Sequence, residues 1–325
     1  RINPDGTKIG DDIQVTTTYA EGGDSFDASL AWSGSEYGLS WVDGRPNRPQ
    51  RPEIYFARFD RNGEKLGTDT RITDAPTYKE SPFLLWNGNE YGLAWHDNRD
   101  EQVIPFARIS RDGVKLASEI HASNVGGYPN VPMLAWNGME YGLSWFNTQV
   151  SPPSIFFTRV SGAGNKIGED VVIQSDNGIA KPAPITWLGG QYAMTWGRNI
   201  ETGFPDTTFY LRKISSEGQQ IGRDLPIAEG SSPKMVWTGA EYGVVWHHDW
   251  NRNMELYFGR FDPNGNEIGE TIRITNDRNS SYGADLVWNE QQREYAFSWV
   301  EGIYESGLEV DEIKFTRVQI IQPCP

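Results

Sequence analysis

Six pairs of tryptophans constrain this chain more than anything else in it. The stretch Trp86-Asn87-Gly88-Asn89-Glu90-Tyr91-Gly92-Leu93-Ala94-Trp95 recurs in close copies at Trp32–Trp41, Trp136–Trp145, Trp187–Trp196, Trp237–Trp246 and Trp288–Trp299, with successive first tryptophans 50 to 54 residues apart. A period of that length marks a repeat architecture. Inside each copy a polar or glycine turn, such as Asn87-Gly88, Asn137-Gly138 or Thr238-Gly239, separates two runs of alternating large and small residues, the pattern of a tight β-hairpin.

A third strand follows each hairpin, at Ile54–Asp60, Ile104–Ser110, Ile155–Ser161, Phe209–Ser215, Leu256–Asp262 and Ile313–Gln319. All but the last run into a glycine turn, among them Arg61-Asn62-Gly63, Arg111-Asp112-Gly113 and Pro263-Asn264-Gly265, and a fourth strand begins at Lys65, Lys166 or Glu267. Four antiparallel strands, six times over, predict an all-β, six-bladed β-propeller occupying residues 1–325 as one domain. Residues 3–15 match a turn and fourth strand with nothing before them, and the C-terminus stops after a third strand. Lys8–Val15 is therefore expected to pair beside Ile313–Ile321 and complete a shared blade. The first tryptophans, Trp32, Trp86, Trp136, Trp187, Trp237 and Trp288, are expected to be the buried ones.

The formal charge of −15 argues against nucleic acid and against an anionic membrane surface, both of which call for clustered Lys and Arg. No apolar run reaches the length of a membrane span. The single cysteine, Cys324, excludes an intrachain disulfide. A chain beginning at Arg1 without a methionine fits a processed secretory protein, periplasmic or at the cell surface, or a trimmed piece of a longer one.

The chain resembles six-bladed propellers as a class, and its W-x-G-x-x-Y-x-x-x-W texture is similar to the tandem repeats of secreted bacterial propellers. The likeness covers essentially the whole chain and names no functional family. It implies that the fourth-to-first and second-to-third loops emerge on one face. Those loops are long and unlike one another: 16–27, 43–53, 74–81, 147–154, 174–182, 197–207, 248–255, 276–283 and 301–311. Irregular loops on a rigid scaffold are where binding concentrates.

Tyr19, Phe26, Tyr78, Tyr128, Phe204, Trp250, Tyr282 and Tyr304 stand on that face among Asp24, Asp27, Asp100, Glu101, Asp206 and Glu305. Rings beside carboxylates suit sugars or cationic peptides. Trp250 is the only one of thirteen tryptophans outside the repeat positions, so it heads the expected ligand site, with Asp249, Arg252, Tyr282, Tyr78 and Tyr128. Acids or amides recur near the end of the second strand, at Asp43, Asp97, Asn147, Asp249 and Glu301, with Arg45, Arg99 and Arg252 shortly after three of them. They read first as acceptors for backbone N–H groups or partners of the arginines, and alternatively as a carboxylate ring for Ca²⁺.

Asp60-Arg61-Asn62-Gly63 and Asp262-Pro263-Asn264-Gly265 are hairpin turns, since the spacing of a calcium loop is missing. His96-Asp97 and His247-His248-Asp249 fall three repeats apart, roughly 20 Å across a six-fold ring by strand spacing, which is too far for one metal. They read as structural histidines, with a local His–Asp acid/base pair as the alternative. Nucleophile elbows and phosphate loops are absent, while a pair of carboxylates for glycoside chemistry stays open. The expected function is non-catalytic recognition of a glycan or protein on the loop-rich face. The alternatives are a polysaccharide-acting hydrolase or lyase, and a structural module of a larger surface protein.

Overall fold

In the second repeat the alternating residues become strands Lys79–Trp86, Glu90–Asp97, Pro105–Ser110 and Ile120–His121, paired antiparallel in that order. The turn chemistry is visible in the side chains. Asn87 Oδ1 accepts the N–H groups of Asn89 and Glu90, each at 2.9 Å, and Gly88 takes φ 101°. At the next reversal in the first repeat, Asp60 Oδ1 accepts Asn62 N and Glu64 N at 2.8 Å. Asp262 does the same for Asn264 and Asn266, so both Asp-x-Asn-Gly segments are hairpin turns.

The computed structural model describes residues 13–16, 24–44, 52–99, 103–175, 179–180, 185–199, 207–250, 253–276, 280–305 and 308–319. Among these there is no helix, and the strands form six antiparallel sheets, one per repeat. The fold class is the all-β, six-bladed β-propeller. Two compact units hold three blades each, the first within residues 8–177 and the second within 178–325, with turn 216–219 counted in the first. In the fourth blade the first strand is split into Ile179–Ala180 and Ile185–Trp187, both pairing with Tyr192–Asn199. The sixth blade shows three strands among the described residues, Ser280–Asn289, Glu294–Glu305 and Leu308–Gln319.

The expected partner strand at Lys8–Val15 lies mostly outside the described residues. Its described part, Ile13–Val15, carries no strand. Val15 nonetheless packs against Trp41, Ala57 and Phe59, and a Cβ on Gly63 would stand 2.4 Å from Ile13 Cδ1. Leu225 is placed in the same way beneath Gly265 of the next blade.

Blades within a unit lock through one contact. At three places among the described residues the tyrosine that follows a first tryptophan, by five residues at Tyr91 and Tyr141 and by seven at Tyr295, lies on a glycine of the preceding blade. A Cβ on Gly38 would meet Tyr91 Cε1 at 2.5 Å, one on Gly92 would meet Tyr141 Cε1 at 2.5 Å, and one on Gly243 would meet Tyr295 Cε1 at 2.3 Å. Tyr91, Tyr141 and Tyr295 are fully buried, and Trp86, Trp136 and Trp288 cover them at centroid distances of 4.6, 4.6 and 4.7 Å. The expectation for the tryptophans is therefore corrected. The second ones, Trp41, Trp95, Trp145, Trp196, Trp246 and Trp299, are the buried set, whereas the first ones are partly exposed, Trp32 to 44%. The first tryptophan closes the hairpin turn and covers its tyrosine at the edge of the core, while the second sits mid-sheet between neighbouring layers.

A second repeated element is an ion pair between strands two and three: Arg58 with Glu36 (2.7 Å), Arg108 with Glu90 (2.5 Å), Arg159 with Glu140 (3.1 Å), Arg260 with Glu241 (2.7 Å) and Arg317 with Glu294 (2.9 Å). In the fourth blade Gln191 and Lys213 hold these places. There Arg212, one residue earlier and so on the opposite sheet face, pairs with Asp224 and lies 5.3 Å over the Trp196 ring.

We expect Gly92→Ala to cost about 1–3 kcal/mol through overpacking against Tyr141, while Gly190→Ala, whose Cβ would meet nothing within 4 Å, should be near-neutral. Urea denaturation compares the two. By the same measurement Trp95→Ala should cost about 3–5 kcal/mol and Trp32→Ala less than half as much.

Candidate functional site

Each described first strand carries the same irregularity. The residue five before the first tryptophan is turned into the left-handed region: Asp27, Ser81, Val131 and Ser232 at φ 51°, and Gly283 at φ 64°. The ladder slips there in every case. Four non-glycine residues in that region, at about 1–3 kcal/mol each, make the bulge a designed feature that re-aims side chains at the loop-rich strand ends.

In the first three blades this bulge assembles a cluster. Asp27 Oδ2 accepts the N–H of Ser81, the next blade's bulge residue, at 2.8 Å. One residue before Ser81, Glu80 faces His96 across the ladder, and its Oε1 lies 2.9 Å from His96 Nδ1. The Tyr128 hydroxyl donates to that same oxygen at 2.9 Å, and its ring meets the imidazole edge-on at 4.5 Å. His96 is fully buried, and its Nε2 has no partner among the described residues.

Tyr78 and Tyr128 occupy matching places, eight residues before a first tryptophan, and both are fixed by amides at the end of a second strand. Tyr78 N donates to Asn98 Oδ1 at 2.8 Å and Tyr128 N to Asn147 Oδ1 at 3.1 Å. Tyr78 remains 41% exposed. Its phenol is pushed up in pKa by partial burial and by the charges of Glu80 and Asp27. Tyr128 is pushed up by burial and by Glu80.

Of the sequence-predicted site residues, Tyr78 and Tyr128 are brought together, joined by Asp27. Tyr282 is half-buried opposite Val300 in the sixth blade. The segment His248–Glu255, expected as a loop, is instead the end of a hairpin, with Asp249 opposite Met254 and Trp250 opposite Asn253. The side chains of Asp249, Trp250 and Arg252 lie outside the described residues. Segment 301–311 is likewise mostly strand, with Glu305 opposite Leu308.

Glu80 was missed from the sequence. Its signal was an acidic residue six before a first tryptophan, where the other repeats carry Phe26, Asn130, Lys181, Ser231 and Tyr282.

The acids and amides ending the second strands are committed internally. Asp43 accepts Trp41 Nε1 at 2.9 Å, Asp97 accepts Arg99 N at 3.0 Å and its guanidinium at 2.5 Å, and Asn147 accepts Gln149 N at 3.1 Å. Burial opposes ionisation of Asp97, but the Arg99 bonds outweigh it and hold its carboxyl below the usual range. No group of three or more His, Cys, Asp or Glu among the described residues could hold a metal ion, so the Ca²⁺ reading finds no support there. A separate cavity of about 490 Å³, lined by Val103, His121 and residues 123–127, shares no residue with the Tyr78 cluster.

His247, the counterpart of His96 in the fifth blade, has no carboxylate opposite it. Its partner across the ladder is Ser231, and its Nε2 accepts Ala284 N at 3.4 Å. Burial, reinforced by the charge of Lys234, lowers its pKa to about 4. It is a neutral structural histidine.

No protein-family model matches this chain, and no curated protein matches it. Solved structures are similar in fold. They include Penicillium chrysogenum α-L-arabinanase complexed with arabinobiose (TM-score 0.55, 14% identity, covering 90% of this chain and 93% of that one). The parainfluenza virus 5 hemagglutinin-neuraminidase ectodomain is also similar (0.55, 9%, covering 94% and 81%), as is a Dyadobacter fermentans protein of unknown function (0.56, 9%, covering 91% and 95%). No helix among the described residues is long and apolar enough to cross a membrane.

Because an unfolded histidine titrates near pH 6.5 and native His247 near 4, the unfolded chain takes the proton first. The stability held above pH 6.5 should therefore fall as pH drops from 6.5 to 4, by about 3 kcal/mol in all. His247→Gln should flatten that part of a stability-versus-pH profile, and an unchanged slope would show that His247 is not its source.

Proposed function

We propose that this propeller recognises a glycan at the Tyr78–Glu80–Tyr128 cluster on the loop-rich ends of its first blades. The observation that carries the reading is the state of Glu80. One carboxylate oxygen is fixed by two donors, His96 and Tyr128, while the other has no hydrogen-bond partner among the described residues, and Tyr78, two residues earlier, is 41% exposed. A sugar needs an apolar surface for its C–H face and rigid acceptors for its hydroxyls, and this cluster offers both. The arabinobiose held by the arabinanase is in keeping with a saccharide on this type of fold.

Hydrolysis of the bound glycan is the second reading. It is favoured by Asp27, which stands near the same tyrosine as Glu80, since glycoside cleavage uses two carboxyl groups. Secretion or display at the cell surface belongs with either reading, as does a single domain spanning the chain.

A glycan array followed by calorimetry tests the proposal. Tyr78→Ala and Glu80→Gln should each weaken binding of the glycan found by at least tenfold, about 1.4 kcal/mol. The Tyr78→Ala midpoint should stay within a degree or two of wild type, because the ring is already largely exposed. Unchanged affinity in both folded variants would place the site elsewhere. Release of reducing ends that is lost in Asp27→Asn and Glu80→Gln would establish the hydrolytic reading.

A further inference from the structure

The charge at this site is one-sided. Asp27 reaches across to the N–H of Ser81 at 2.8 Å, next in sequence to Glu80 and three residues after Tyr78, and among the described residues no Lys or Arg pairs with either carboxylate. Lys79, adjacent in sequence, is fully buried and turned away, its ammonium 3.0 Å from Glu53 Oε2 and bonded to the carbonyls of Ala75 and Thr77. Arg99, on the same strand end as His96, is taken up by Asp97 and Glu119. Independently, His96 is fully buried with one ring nitrogen on Glu80 and the other without a partner, so the cluster holds hydrogen-bonding capacity that its own groups do not satisfy.

An uncharged hydroxyl would leave that negative field unanswered. A primary ammonium supplies three donors in a small volume, one for each carboxylate oxygen without a partner among the described residues and one to spare. It is also attracted by the face of the Tyr78 ring. Desolvating two carboxylates without a counter-charge is costly, so the field selects against neutral ligands as well as for cationic ones.

We infer that the glycan held here is built from amino sugars with free, unacetylated nitrogen, the ammonium seated between Asp27 and Glu80 against Tyr78. This deepens the glycan reading of the same site and rests on it.

The test titrates three probes into the whole protein: a β-1,4-linked glucosamine oligomer, the same oligomer N-acetylated, and a lysine-rich peptide of equal charge. Calorimetry gives affinity, and fluorine NMR on a fluorotyrosine at position 78 reports whether the probe reaches the site. The free-amine oligomer should bind at least tenfold more tightly than its acetylated counterpart while shifting the Tyr78 signal. Asp27→Asn should erase most of that preference, whereas Asp112→Asn, at a side chain 84% exposed on a distant turn, should leave it intact as a control for bulk charge. Equal binding of both oligomers at Tyr78 would overturn the amino-sugar inference and leave the glycan reading standing. No shift at Tyr78 with either oligomer would bring down the glycan reading itself. A lysine-rich peptide that binds as tightly as the free-amine oligomer, with the same Tyr78 shift, would keep the ammonium and overturn the saccharide.

Discussion

Everything in this structure depends on a tyrosine ring resting where a glycine has no side chain. With Gly38 beneath Tyr91, Gly92 beneath Tyr141 and Gly243 beneath Tyr295, adjacent sheets approach more closely than any Cβ would allow. Each contact serves two blades at once, because its tyrosine belongs to one sheet and its glycine to the neighbour. The same ring buries a large apolar area, and in two of the three contacts its hydroxyl is hydrogen-bonded at the edge. Tyr141 accepts Asn87 Nδ2 at 2.8 Å and Tyr295 donates to Glu241 Oε1 at 2.8 Å. Glu241 thereby ties this contact to the strand-pairing ion pair with Arg260, which explains why tyrosine, glycine and glutamate travel together through the repeat.

Such regular packing leaves the strand ends free to vary. The bulge before the first tryptophan is common to five blades, but what it presents varies: Asp27, Ser81, Val131, Ser232 and Gly283 share a backbone conformation and carry an acid, a hydroxyl, an aliphatic side chain or none. The scaffold therefore repeats geometry while the sequence varies the chemistry, and one group of blades has collected two carboxylates, two tyrosines and a buried histidine. The contrast between the two equivalent histidines makes the point. His96 gains Glu80 opposite it and becomes part of a polar cluster, whereas His247 faces Ser231 and is held neutral by burial.

The fold was legible in the sequence because its determinants are periodic: the hairpin turns, the arginine strand and the alternation all repeat at about 50 residues. Burial of the tryptophans was misread because both members of each pair are equally prominent in the pattern, and only sheet geometry shows that one caps a turn while the other lies mid-strand. The site was legible in part. Tyr78, Tyr128 and Asp27 were among the aromatic and acidic residues expected on the loop-rich face, but Glu80 sits inside a strand, where a lone acid reads as a surface residue until the bulge and His96 give it a partner. Trp250, the most conspicuous departure, extends a strand and not a loop, since its backbone continues to pair up to Asn253.

The central claim is that the cluster around Glu80, and not another part of the loop-rich strand ends, is where a ligand sits. A crystal structure of the protein soaked with the best-binding oligosaccharide tests this most directly. The account predicts a sugar ring packed on Tyr78 with a polar group within 3.2 Å of the free Glu80 oxygen, a normal hydrogen-bond distance. Sugar density confined to the Trp250 hairpin, or to the cavity beside His121, with Tyr78 and Glu80 untouched, would contradict it.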